Sequence, residues 1–118
     1  MCGFFYTNDR RDSHKLLYKK IVKDLSTRGP DSNNIKFKNK NIFLATRLSI
    51  FDRRSRSNQP FTDEKKRYFL LFNGAIYNYL ELKTKLSAEG INFNTDSDTE
   101  VLFKSLIHNG INKTLKDI

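Results

Sequence analysis

The sequence predicts an α+β fold, and three observations carry that expectation. Short apolar and aromatic runs of strand length alternate with stretches of helical periodicity. Two helix starts carry their own capping signals. The order read along the 118 residues is β-α-β-β-β-α-β-α, which suggests α+β or layered α/β.

Each element has its own reason. Cys2 to Tyr6 (CGFFY) is a brief aromatic run and reads as a strand, followed by a polar turn over Asn8 to Asp12. Ser13 to Ser26 reads as a helix because Leu17, Ile21 and Leu25 recur every four residues, with Lys19, Lys20 and Lys23 around the rest of its surface. Arg28-Gly29-Pro30-Asp31 stops it. Ile35 to Phe37 and Asn41 to Thr46 are expected to form a hairpin through Lys38-Asn39-Lys40, and Phe51 to Thr62 a charged loop. Arg67 to Phe72 reads as a strand, with Asn73-Gly74 as a sharp turn after it. Asn78 with Glu81 three residues on marks a helix from Tyr79 to about Glu89, closed by Gly90. A short strand over Ile91 to Asn94 is expected next. Ser97 with Glu100 starts a last helix, with Val101, Leu102, Ser105 and Leu106 inward and Gly110 as its end.

Composition excludes several classes. Gly 5, Pro 2, Cys 1 and the lack of a sustained heptad leave no room for collagen, a coiled coil or a disulfide scaffold. The longest apolar run, Tyr68 to Phe72, is far short of the ~20 residues of a membrane span. One cysteine permits no internal disulfide, and no signal peptide is read at the start, so the chain is expected to be cytoplasmic, with no membrane partner. Charge is lopsided. Residues 1–60 carry 14 basic and 5 acidic groups, net +9, whereas residues 61–118 carry 8 of each. A basic half fits either nucleic acid or a solvated Lys-rich and Asn-rich surface. No phosphate loop accompanies it, so no nucleic-acid partner is expected.

Cys2 is the most informative residue. Removal of Met1 would place a thiol and a free α-amine on one Cα. An α-amine has a pKa of about 7.7–8, low enough to take the thiol's proton and later protonate a leaving amine. The bland alternative is an ordinary buried cysteine. Asn73-Gly74 suits an oxyanion, with a side-chain N–H from Asn73 and close backbone approach and an unusual φ at Gly74, or else is a plain turn. Arg47, after an apolar strand, fits a bidentate grip on a carboxylate, or is a surface arginine. Asp98, in the first turn beyond Ser97, fits a ligand ammonium, or simply complements the helix dipole. His14 and His108 lack partners at ligand spacing, so no metal site is read. Arg53-Arg54-Ser55-Arg56 fits either an RNA contact or an exposed loop. The glycosylation pattern Asn112-Lys113-Thr114 carries no meaning in a cytosolic chain.

Taken together and in order, these stretches resemble the N-terminal glutaminase domain of glutamine-hydrolysing asparagine synthetases, within the class II glutamine amidotransferases of the N-terminal-nucleophile fold. The matching segments are Met1-Cys2-Gly3-Phe4-Phe5, Arg28-Gly29-Pro30-Asp31, Thr46-Arg47-Leu48-Ser49-Ile50-Phe51-Asp52, Gln59-Pro60, Phe72-Asn73-Gly74-Ala75-Ile76-Tyr77-Asn78-Tyr79, and Ser97-Asp98-Thr99-Glu100-Val101. The resemblance implies part of an N-terminal-nucleophile hydrolase four-layer α-β-β-α sandwich. It implies that residues 1–118 are a partial glutamine amidotransferase type 2 domain, truncated and without the synthetase domain. Cys2 would attack the glutamine side-chain amide, and Asn73 with Gly74 would hold the oxyanion. Arg47 would hold the α-carboxylate and Asp98 the α-ammonium. Glutamate and ammonia would form through a γ-glutamyl thioester, the ammonia being meant for ATP-dependent amidation of aspartate to asparagine. No cofactor is implied in this domain; ATP and magnesium would belong to the synthetase domain or chain that is its implied partner. Ala75 stands where asparagine synthetases usually have Glu. The rival readings are a non-catalytic truncated remnant and a basic nucleic-acid-binding protein.

Overall fold

A strand from Asn41 to Arg47 is the centre of the first sheet in a computed structural model that describes residues 2–9, 15–49 and 52–118. The elements are β1 (Gly3–Thr7), α1 (Lys15–Ser26), β2 (Ser32–Lys38), β3 (Asn41–Arg47), β4 (Phe61–Thr62), β5 (Phe69–Leu70), α2 (Tyr79–Ala88) and α3 (Asp98–Asp117). The chain divides into two compact units, Met1–Ile50 with Asn58–Asn73, and Phe51–Ser57 with Gly74–Ile118. The mixed helix and sheet content agrees with α+β.

In the first unit β3 pairs antiparallel with β1 and β2, giving the order β1-β3-β2. Gly3 stands opposite Thr46 and Ser32 opposite Arg47. Side chains alternate across a sheet, so Ile42, Leu44 and Thr46 share one face. All three are fully buried. α1 lies on that face, where Thr46 Oγ1 donates to the Leu25 carbonyl over 3.0 Å. Gly3 is required there, because a Cβ would stand 2.9 Å from Thr46 Oγ1 and 3.0 Å from Leu25 Cδ2. On the opposite face Phe69 stacks on Phe43 with ring centroids 4.4 Å apart, and Tyr6 lies 5.2 Å from Phe43. β5 pairs antiparallel with β4, Phe61 facing Leu70.

In the second unit Leu82 and Leu86 of α2 pack with Val101 of α3, flanked by Tyr79, Ile91 and Phe93. Ser97 caps α3 by accepting from the Thr99 N–H over 3.2 Å. Ser105 and Thr114, both fully buried, share a hydroxyl–hydroxyl bond of 2.9 Å.

Several expectations need correction. The stripe of α1 runs through Tyr18, Ile21, Val22 and Leu25 rather than through Leu17, which is half exposed. Tyr18 is buried and its hydroxyl donates to the Asp9 carbonyl. β2 begins at Ser32, earlier than Ile35, because β3 offers seven residues of partner and polar Asn33 and Asn34 pair as well as apolar ones. β5 shrinks to Phe69–Leu70, since its partner has only two residues, and that partner, β4, lies in the stretch read as loop. No strand forms over Ile91 to Asn94; the Ile91 N–H goes to the Leu86 carbonyl and the Asn94 N–H to the Glu100 carboxylate. Gly110, at φ 75° and ψ 173°, is non-helical and interrupts the helix where its end was expected; what was not expected is the second helical stretch that follows to Asp117. Asn78 makes no cap bond with its side chain; its Nδ2 donates to the Asp117 carbonyl over 2.7 Å. Gly90 takes the left-handed conformation expected of it, φ 87°. The readings at Arg10 to His14, Ile50 and Phe51, and the fate of Met1, lie outside the described residues.

Candidate functional site

The first unit holds Cys2, Arg47 and Asn73. Register explains the placement of the first two. Gly3 faces Thr46, so Cys2 reaches the end of β1 as Arg47 reaches the end of β3. The Cys2 Sγ stands 3.8 Å from the Leu48 carbonyl, and the residue is half-buried. Arg47 is 7% exposed, which removes the reading of it as a surface arginine. Its Nη1 donates to Asn58 Oδ1 over 3.1 Å, and the Ser32 hydroxyl donates to the same oxygen.

Arg28-Gly29-Pro30-Asp31 shapes the end of β3. Gly29 lies so close behind it that a Cβ would sit 2.5 Å from the Arg47 nitrogen and the Thr46 carbonyl carbon. The Asp31 N–H donates to the Arg47 carbonyl over 3.0 Å, and its carboxylate accepts from the Ser49 N–H over 2.7 Å. That motif grips the backbone on both sides of Arg47 and leaves the guanidinium to the opposite partners.

Asn73 is reached through an anchored segment. Ser32, Lys36 and Arg47 share one sheet face, because Ser32 pairs with Arg47 and Lys36 with Phe43. All three hold Asn58–Pro60: Ser32 and Arg47 at the Asn58 side chain, and Lys36 Nζ at the Pro60 carbonyl over 2.9 Å. Burial, and then the Lys66 charge, push the Lys36 amine below the ordinary lysine range. Gln59, 6% exposed, spends both ends of its amide on Phe72. Asn73 follows and is exposed.

The second unit holds Gly74 and Asp98. Among the described glycines φ is positive at Gly90 and Gly110 and not at Gly74, so the left-handed φ for which a glycine would be needed is not found there; the chain bends at that residue. Asp98 is buried in the first turn of α3, and its Oδ2 accepts from the Ile76 N–H over 3.1 Å. Its Oδ1 accepts from the Thr99 hydroxyl over 3.4 Å. Asp98 is thus tied to the backbone that follows Gly74, a role sequence reading missed.

Glu100, two residues on, is not the reciprocal half of a capping box. Its carboxylate accepts from Asn94 and Thr95 N–H groups, the latter at 2.7 Å, and pairs with Lys104 at 3.0 Å. Burial alone would raise its pKa, but the bonds from Thr95, Asn94 and Lys104 prevail and hold it below the ordinary glutamate value. Arg56 is committed to acids: its Nε meets Asp52 at 3.0 Å and its Nη2 meets Asp96 at 3.3 Å. Arg53, Arg54 and Arg56 are exposed, as the loop reading expects. Among the described residues no His, Cys, Asp and Glu cluster could hold a metal ion, and no helix is long and apolar enough to cross a membrane.

A family model for the glutamine amidotransferase domain matches residues 1–118. The chain is 41% identical over 118 residues to asparagine synthetase [glutamine-hydrolyzing] 1 of Bacillus subtilis (strain 168), covering 92% of this chain and 18% of that protein. It is 33% identical over 113 residues to asparagine synthetase [glutamine-hydrolyzing] 1 of Saccharomyces cerevisiae, covering 94% and 19%. A shorter match, 51% over 43 residues, joins 36% of the chain to 7% of a glutamine–fructose-6-phosphate aminotransferase of Aquifex aeolicus. The chain spans under a fifth of the length of the two synthetases.

Proposed function

The chain belongs to the glutamine amidotransferase domain family, and from that premise we propose that it hydrolyses the side-chain amide of glutamine with Cys2 as nucleophile. The observation that carries this reading is the pairing of β1 with β3, which sets the only cysteine of the chain and a buried arginine at one end of a sheet. With Met1 removed, the α-amine of Cys2 takes the thiol proton. The sulfur then adds to the amide carbon. Asn73 Nδ2–H and the Gly74 N–H receive the negative oxygen, the kind of donor whose loss costs about 10²–10³ in rate. The α-ammonium returns a proton to the leaving nitrogen, ammonia departs, and a γ-glutamyl thioester remains. Water adds to it, the thiol leaves, and glutamate is released.

Arg47 holds the α-carboxylate of the glutamine in a bidentate fork and Asp98 its α-ammonium. For each, binding means sharing or replacing a present partner, Asn58 for Arg47 and the Ile76 N–H for Asp98. The architecture this reading favours is the N-terminal-nucleophile sandwich, with this chain contributing one part. The ammonia is meant for amidation of aspartate by a synthetase domain or chain, which would supply ATP and magnesium. The names of the synthetase relatives support that destination.

The experiment is a trapping reaction. The purified chain is mixed with a diazoketone analogue of glutamine and its N-terminal peptide weighed. One adduct on a Met1-free peptide, absent from Cys2→Ser and suppressed by excess glutamine, is the expected result. A chain that keeps Met1, or a thiol that ignores the analogue, rejects the reading.

A further inference from the structure

Resting on that reading of the site, we infer that Gln59 is a positioning residue for the oxyanion donor Asn73. β5 ends at Leu70, so Phe72 has left the strand ladder before the chain reaches Asn73. A backbone outside a ladder has an N–H and a C=O to satisfy. Gln59 satisfies both. Its Nε2 donates to the Phe72 carbonyl over 2.9 Å, and its Oε1 accepts from the Phe72 N–H over 2.7 Å. The two bonds also settle which end of the amide is nitrogen, since the reversed orientation would set donor against donor. A side chain here does what a neighbouring strand does elsewhere.

The anchor is itself anchored. The adjacent Asn58 receives Arg47 and Ser32, and the Pro60 carbonyl receives Lys36. A continuous hydrogen-bonded path therefore runs from the sheet through residues 58–60 to Phe72, one peptide bond from Asn73. An oxyanion donor has to be held within about 0.5 Å of its working place. Gln59 is the group that locates the Phe72 peptide, and it does so at 6% exposure, where water offers little competition. It touches no substrate in this scheme; it acts through Phe72 and Asn73.

The test uses Gln59→Ala and Gln59→Glu in the full Met1-processed chain, with three readouts. These are the maximal labelling rate and half-saturating concentration for the diazoketone analogue, and the rate of Cys2 alkylation by iodoacetamide, which needs no oxyanion hole. Positioning predicts that Gln59→Ala loses on the order of tenfold in maximal labelling rate, less than outright removal of a donor. It predicts half-saturation within about twofold and an unchanged iodoacetamide rate. A glutamate can accept from the Phe72 N–H but can donate to its carbonyl only when protonated. The labelling rate of Gln59→Glu relative to the unsubstituted chain therefore rises as pH falls, a signature that general loosening does not produce. If Gln59→Ala does not fold, Gln59→Glu carries the test by that ratio. Equal maximal rates in the substituted and unsubstituted chains overturn the inference and leave the proposed function standing. So does a loss shared by iodoacetamide, or a flat ratio across pH. An unsubstituted chain that takes no glutamine-protected label overturns both.

Discussion

The two units hold their irregular segments by different means. In the first, residues 58–60 are fastened by side chains from two strands, Ser32 and Lys36 from β2 and Arg47 from β3, and Gln59 in turn fastens Phe72. In the second, two acids in one helical turn do comparable work, Asp98 on Ile76 and Glu100 on Asn94 and Thr95, above a small apolar cluster. The first unit therefore depends on strand register, and one shifted residue would move every anchor to the wrong face. The second depends on where α3 begins, which the Ser97 cap specifies. Its acids also gain from sitting at a helix N-terminus, where partial positive charge favours them.

The substitution that breaks this contrast hardest is Gly29→Ala. A Cβ there meets backbone atoms at 2.5 Å, and backbone cannot swing aside as a side chain can. A loss of about 3 kcal/mol or more is expected from such overpacking, read as a lowered urea midpoint. Hydrogen exchange should show β1–β3 amides losing protection while those of α2 keep it. Equal loss throughout would mean that the units open together.

Leu86→Ala strikes the other side of the comparison. Leu86 is 1% exposed in the α2–α3 cluster, and truncation there should cost ~3 kcal/mol. The exchange pattern should now reverse, with α2 and α3 amides exposed first.

Glu100 sharpens the contrast through pH. Its folded pKa lies below its unfolded one, so its contribution is present above the unfolded value and is lost as pH falls through the folded one. Acid titration from neutral pH should therefore release the start of α3 below about pH 4, where an ordinary glutamate begins to protonate. Glu100→Gln should cost about 1.5 kcal/mol at pH 7 and flatten that acid limb. An acid limb of unchanged steepness in the variant would assign the effect to another carboxylate.

The smallest effect repeats the first substitution in the second unit. Gly90 has φ 87° and open space around it, so Gly90→Ala meets strain without collision. About 1 kcal/mol is expected, measured by the same urea midpoint. A cost equal to that at Gly29 would show that backbone conformation, not close approach, governs both.

Much of the fold was legible in the residues, and the reason is local. The Ser97 cap, the Gly90 stop, the body of α2 and the pairing of β3 with β2 each rest on a signal contained within a few neighbours. Of the candidate site, the positions of Arg47 at the end of β3 and Asp98 at the start of α3 were legible, while their roles belong to the proposed function. What was missed involves partners outside the element that was read. Tyr18 rather than Leu17 faces inward, because the sheet it meets decides which side of an amphipathic helix is covered. Glu100 looked like half of a capping box, but nearby N–H groups at 94 and 95 offered better partners. Gln59-Pro60 appeared only as part of a motif, with nothing in its neighbours to point at Phe72.

By itself the sequence determined where α2 and α3 start, that β2 and β3 form a hairpin, and that Gly90 turns the chain, since capping, alternation and φ are properties of contiguous residues. Only the tertiary structure decided which polar side chain serves which irregular backbone group: Gln59 for Phe72, Asp98 for Ile76, Asn58 for Arg47. A hydrogen bond between remote segments has no period to read, and its partner is chosen by which donors and acceptors burial leaves without water.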